Sequence, residues 1–242
     1  MISVYLKELN SFFSSLIGYL AIIVFLLMTG LFLFVFPETS LLHQPFATLE
    51  PLFSIAPLIF VFLIPAITMR SISEELSNNT FELIATKPLK TSDILMGKFL
   101  AATSLVIFAI LPTLLYYYTV YQLGAPVGNV DSGAIWGSFL GLVFLGMVFT
   151  SIGILASSLT KNQIVAFLLA AFLCFFMHYG LYYLSSLPVF YGQMEWILQS
   201  IGIDHHYASI SRGIVDSRVV VYFFSITVFF LGLAHFNIQQ RK

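Results

Sequence analysis

Polar positions are scarce along this chain, and where they cluster they divide it into long apolar runs. Six such runs occupy roughly 16–36, 51–70, 95–121, 133–159, 163–185 and 218–238. Each is continuous rather than alternating, which argues against the strands of a membrane barrel. Each is also long enough to cross a ~30 Å hydrocarbon core at about 1.5 Å per residue. The pattern predicts an all-α integral membrane protein with six transmembrane helices in one domain over 1–242.

Residues 1–15 follow a different period. Ile2, Tyr5, Leu6, Leu9, Phe12, Phe13 and Leu16 recur at helical spacing, with Ser3, Lys7, Glu8, Asn10, Ser11 and Ser14 between them. Such a pattern predicts an amphipathic helix lying in the membrane interface. The run Leu16–Phe36 exceeds the roughly 7–15 apolar residues of a signal peptide, and no small-x-small cleavage site follows, so it reads as an uncleaved span.

Composition supports the membrane reading. The chain is 59% hydrophobic and 9% charged, where a soluble domain carries roughly 25% charged residues. A net charge of −1 gives nucleic-acid binding no electrostatic support. The single cysteine, Cys174, lies in an apolar run and excludes an intramolecular disulfide framework or a cysteine-cluster metal site.

The main exception to this apolar character is an island at 70–98. It holds Arg70, Lys87, Lys90 and Lys98 with Glu74, Glu75, Glu82 and Asp93, out of 10 Lys+Arg and 11 Asp+Glu in the whole chain. Ile72, Leu76, Leu83 and Ile84 are expected to make apolar contacts while Glu74, Glu75 and Glu82 face water. Ser77-Asn78-Asn79 has turn chemistry. Thr80 is expected to cap a short helix over Phe81–Ala85, with Glu82 in its first turn and Pro88 ending it. Thr91 or Ser92 should cap the helix that becomes the third span. The expected coupling region extends over 71–94.

Lys and Arg set the expected orientation. Lys7, the four island cations, Lys161, Arg241 and Lys242 fall on one side, against Arg212 and Arg218 on the other. Both termini and the island are therefore expected in the cytoplasm, and the 186–217 segment outside. Pro57, Pro65 and Pro112 are expected to kink or break helices. The Gly133, Gly137, Gly141 ridge, continued by Gly146 and Gly153, suits close helix packing more than a dimer seam. No charged residue is expected deep in a span, which gives ion-coupled transport little support.

Recognisable chemistry is sparse. Gly97-Lys98 runs into Phe99 and lacks the upstream glycine of a phosphate loop. No zinc-protease helix or nucleophile elbow occurs. His205 and His206 are adjacent, so on a helix they diverge, and with Asp204 they form weak evidence for a metal site. An intramembrane enzyme would have to use His178, Tyr179, Tyr182, His205 and His206, which form no paired constellation.

Two stretches carry a family resemblance. One runs from Glu74-Glu75-Leu76 through Asn78, Thr80-Phe81-Glu82-Leu83-Ile84, Thr86 and Pro88-Leu89 to Asp93-Ile94-Leu95 and Gly97-Lys98-Phe99. The other is His206–Arg218, containing Arg212-Gly213-Ile214-Val215-Asp216, followed by Val221-Tyr222-Phe223. Together they resemble type-2 ABC exporter permeases, most nearly the gliding-motility-associated permeases of Bacteroidetes, with nitrous-oxide-reductase maturation permeases as near relatives. The resemblance implies a six-helix subunit of the cell inner membrane that forms a dimer and is driven by a separate ATPase carrying ATP and Mg. It implies no cofactor on this chain. It places a coupling helix on Thr80–Ala85, with Glu74, Glu75, Phe81, Glu82 and Leu83 in the ATPase contact. Arg212, Gly213 and Asp216 would form the extracytoplasmic motif before the last helix. A second membrane protein with a large extracytoplasmic domain is also implied. A passive scaffold of a motility or secretion machine stands as the alternative, and the cargo is left open.

Overall fold

The computed structural model describes residues 1–44, 46–80, 90–190, 192–213 and 216–240. The expected helix Phe81–Ala85, with Phe81, Glu82 and Leu83, lies outside the described residues, as do Lys87, Ile214, Val215, Arg241 and Lys242.

The described residues are helical with no strand. Six stretches are long and apolar enough to span a membrane: Leu16–Val35, Glu50–Ser77, Thr91–Leu123, Ser132–Leu159, Gln163–Ser185 and Ser217–Gln239. The helices are α1 (Ile2–Ser14), α2 (Leu16–Gly30, extended by a π turn Leu31–Val35), α3 (Glu50–Thr68) and α4 (Ser73–Ser77). Then come α5 (Thr91–Ile110), α6 (Leu114–Leu123), α7 (Ser132–Leu159) and α8 (Gln163–Phe175). Last are α9 (Leu181–Ser185), α10 (Gln193–Ile201), α11 (Ile203–Ile210) and α12 (Ser217–Gln239).

α7 is the axis of the bundle, packed by α3, α5, α8 and α12. In lipid, apolar side chains gain little by leaving the hydrocarbon, so helices associate through close packing at small residues. A Cβ on Gly153 would sit 1.9 Å from Thr68 Oγ1 of α3, and one on Gly146 would sit 2.8 Å from Val106 of α5. At the other end of the helix, Cβ atoms on Gly137 and Gly141 would meet Gly213 at 3.1 Å and Ile210 at 2.9 Å. The glycine ridge is therefore spent on contacts inside this chain.

Pro112 does interrupt its helix, as a 3-10 turn over Leu111–Thr113 between α5 and α6. Pro57 and Pro65 do not break theirs: both are buried inside α3, which continues through them. Pro57 cannot bond Phe53 O, which instead accepts from Tyr207 Oη at 2.8 Å, a compensation under which membrane helices tolerate proline.

α1 ends at Ser15 in an extended conformation, and the chain turns directly into α2. Gly18 permits this elbow, because a Cβ there would lie 2.5 Å from Phe12 O. α1 then lies along α5, seated on Gly97, where a Cβ would come within 2.8 Å of Val4. Tyr5 Oη and Ser104 Oγ, 3.2 Å apart, extend that contact.

Gly153→Ala should weaken the α3–α7 seam by about 1–3 kcal/mol, the usual cost of overpacking a filled site. A lowered thermal unfolding midpoint in detergent is the expected readout, partly recovered by adding Thr68→Ala.

Candidate functional site

The two ends of the bundle differ in chemistry. One end gathers α1, α4, the starts of α5 and α8, and the ends of α7 and α12. Here Ser157 of α7 organises the chain between α3 and α4. Its Oγ accepts from Ile72 N at 2.9 Å and Ser73 N at 3.0 Å, and donates to Met69 O at 2.9 Å. Ser73 Oγ also donates to Met69 O. One hydroxyl thus satisfies three backbone groups at a helix break, which would be costly to bury unpaired.

Lys98 is the centre of this end. It sits seven residues into α5, about 10 Å along the helix, with its side chain only 3% exposed. Its Nζ donates to Glu75 Oε1 at 2.8 Å, Glu8 Oε1 at 3.0 Å and Ser71 O at 2.6 Å. These three acceptors match the three donors of an ammonium. Lys7 Nζ stands 3.6 Å from Glu8 Oε1 and 3.9 Å from Glu75 Oε1, so two cations face two carboxylates. The expectation concerned charges deep in a span, and Lys98 stands instead near the start of its stretch, at the polar end. Lys98 lies in the third span-length stretch, and its desolvation is compensated by neighbours from two other elements.

The expected contact residues divide. Glu74 faces outward as expected, paired with Arg70 Nε at 3.7 Å. Glu75 does not face water; its carboxylate turns inward to Lys98. Ile72 and Leu76 are buried as expected. Asn79 takes φ 53, a left-handed conformation that asparagine tolerates, and ends α4. Thr80 N and Oγ1 bond back to Glu75 O at 3.0 and 3.4 Å. No hydroxyl caps α5: its N-cap is Lys90 without a side-chain bond. Asp93 in the first turn instead lies 4.0 Å from the N-terminal ammonium of α1.

The sequence reading missed the pairing of Lys98 with Glu8, and the bonds of Ser157 to the α3–α4 backbone. A signal existed, since a lysine inside the apolar run Ile94–Leu105 requires a counter-charge. Glu8 is separated from Lys98 by 90 positions, and nothing in the local pattern names it.

The opposite end is built from α11 and the start of α7. Gly213, at φ +84, lies against Ala134, where a Cβ would come within 2.6 Å, so only glycine fits both the conformation and the approach. Asp216 Oδ1 accepts from Arg218 N at 3.0 Å and caps α12. Arg212 Nε donates to Ala208 O at 3.2 Å and its side chain is exposed. These three residues therefore have local structural work: a close approach, a cap and a helix end.

Between α3, α7, the π turn that follows α8 and α11 is a cavity of ≈ 580 Å³ lined by Glu50, Ser54, His178, Tyr179, Asp204 and Arg212 among others. His178 sits in a π turn over Phe176–Gly180, 2% exposed, with Nε2 3.9 Å from Asp204 Oδ1. Its Nδ1 is buried with no hydrogen-bond partner among the described residues. Burial raises the Asp204 carboxyl above its ordinary range, opposed by nearby His205. Burial drives the Tyr207 phenol far up, and its hydroxyl donates to Phe53 O at 2.8 Å. His206 is held low by burial, partly offset by the 2.9 Å contact of Nε2 with Ser200 O, and its ring stacks on Tyr222 at 3.7 Å. The His205 and His206 planes diverge by 83°. Among the described residues no three His, Cys, Asp or Glu gather in a metal-binding arrangement.

Fold and geometry define a multi-pass α-helical membrane protein with an ionic cluster at one end. The family described as ABC-2 family transporter protein matches residues 14–194, most of the chain, and the chain belongs to it. It is accordingly a membrane-spanning permease subunit of an ABC transporter, a family whose members normally work with an ATPase subunit. No curated protein matches the chain significantly.

Two outcomes follow. Lys98→Ala leaves two largely buried carboxylates without their main partner and should cost about 3–5 kcal/mol, seen as a sharply lowered unfolding midpoint. For His206, the folded state prefers the neutral ring while the unfolded chain binds the proton more readily. Stability should therefore fall as pH drops through the ordinary value of 6.5 and level off below the folded value. Asp204 acts in the opposite sense, its stability contribution falling as pH rises from 3.8 through its raised value. Unfolding midpoints of Asp204→Asn and Asp204→Asn/His206→Gln between pH 7.5 and 5 isolate the histidine, the second variant giving the flatter profile.

Proposed function

We propose that this permease subunit takes up the work of ATP hydrolysis at the end that carries α1, α4 and Lys98, and that this end faces the cytoplasm of the inner membrane, with both termini. The observation that carries the reading is the construction of that end. α4 is anchored to α7 by Ser157 and to α5 by Lys98, and the chain passes directly from it into residues 81–89. A segment gripped by a partner must be rooted in the spans if a push on it is to reach them.

In this reading Glu74, Thr80, Phe81, Glu82 and Leu83 meet the ATPase, which holds ATP and Mg. The inward carboxylate of Glu75 supports that surface from behind. The excess of Lys and Arg at this end over Arg212 and Arg218 at the other supports the orientation. We assign the subunit to a dimer, either of two such chains or with a second membrane protein bearing an extracytoplasmic domain. Arg212, Gly213 and Asp216 then stand at the outer face. The resemblance to gliding-motility-associated permeases supports a role in motility or secretion, by transport or by transmission of force.

The test is purification of the membrane complex from cells carrying wild type or Phe81→Asp. The wild type should bring an ATPase with it, and the variant should lose most of it. An absent ATPase in the wild type, or full retention in the variant, would overturn the docking site.

A further inference from the structure

We propose that Lys98 is a positioning residue that ties α1 to α4, so that displacement of α4 is carried into the N-terminal helix through the Glu8–Lys98–Glu75 bridge. The inference rests on the reading that an ATPase acts at this end.

Among the described residues, the Lys98 ammonium is the atom at which three elements meet. It is rooted in α5, bonds Glu8 of α1, and bonds both Ser71 O and Glu75 at the α3–α4 junction. α1 has no buried residue of its own and rests on α5 through Val4 on Gly97, the Tyr5–Ser104 hydroxyl pair and Phe13 edge-on to Phe108. Those contacts join α1 to α5, whereas the charge-assisted hydrogen bonds of Lys98 at 2.8–3.0 Å are directional and reach from Glu8 of α1 to Glu75 of α4. The ionic bridge is therefore the directional connection between α1 and α4.

The cluster also has a second pairing available. Glu75 Oε2 is buried with no hydrogen-bond partner among the described residues, so its carboxylate uses only part of its accepting capacity. Lys7, on α1 itself, stands within 4 Å of both carboxylates. If α4 shifts, Glu75 can exchange Lys98 for Lys7 without leaving either charge uncompensated. A structural staple saturated on every atom would have no such alternative.

The test uses the full complex with its ATPase in lipid nanodiscs, with Cys174→Ala and spin-label pairs at Ser11→Cys and Lys161→Cys, or at Asn78→Cys and Lys161→Cys. The probe is Mg with a non-hydrolysable ATP analogue. In the otherwise unaltered chain both distances should shift. Lys7→Met/Glu8→Met removes both charged links of α1, the bond to Lys98 and the Lys7–Glu75 contact, and leaves Lys98 paired with Glu75. It should keep the Asn78 shift and lose the Ser11 shift, with its unfolding midpoint recorded to exclude a folding defect. Lys7→Met/Glu8→Gln, which keeps an oxygen for the ammonium, should be intermediate and serves if the first variant does not fold. A Ser11 shift in Lys7→Met/Glu8→Met equal to that of the unaltered chain would overturn the proposal while leaving the ATPase reading intact. No Asn78 shift in the unaltered chain would overturn the ATPase reading and the proposal with it.

Discussion

A lysine ammonium placed inside a membrane-spanning helix has to be compensated, and the architecture of one end of this protein follows from how that is done. Lys98 cannot reach bulk water, and desolvation of a lone cation costs several kcal/mol. Two carboxylates and a carbonyl are brought to it, Glu8 from α1 and Ser71 O with Glu75 from the α3–α4 junction. Satisfying that one group fixes where α1 lies, which way Glu75 points and how α4 leaves α3.

The rest of the bundle answers a different constraint. In a bilayer the drive to bury apolar surface between helices is weak, so shape complementarity holds the spans. α7 supplies it with glycines that admit Thr68, Val106, Ile210 and Gly213 at distances a methyl group would forbid. The same helix contributes Ser157, whose hydroxyl closes the backbone at the α3–α4 break. α7 is thus both the packing axis and the mount for the ionic end, and movement of that end is referred to a rigid element.

At the far end, the Arg212–Asp216 motif proves to be largely structural in its described members. Gly213 is there for a conformation and an approach, and Asp216 for a cap. Arg212 is the member with a side chain left for other use, at the rim of a cavity that also holds Glu50, His178 and Asp204. The polar lining of that cavity contrasts with the apolar groove of ≈ 770 Å³ between α2, α3 and α8, whose wall is Val24, Phe62, Ala66 and their neighbours.

By itself the sequence determined what depends on local period and composition: six spans, an amphipathic first helix, a turn at Asn78-Asn79 and a polar island. These are readable because hydrophobic matching to the bilayer and helix periodicity act over neighbouring residues. The use of the glycine ridge inside the chain was legible for the same reason. The inward turn of Glu75, the burial of Lys98 and the helix that continues through Pro57 and Pro65 were decided by tertiary structure. A charge's preferred direction depends on which other charges come near. Glu8 reaches Lys98 across 90 positions only because the Gly18 elbow folds α1 back along α5. His178 shows the same limit, since a π turn and the arrival of α11 set its surroundings, and neither is written in the residues beside it.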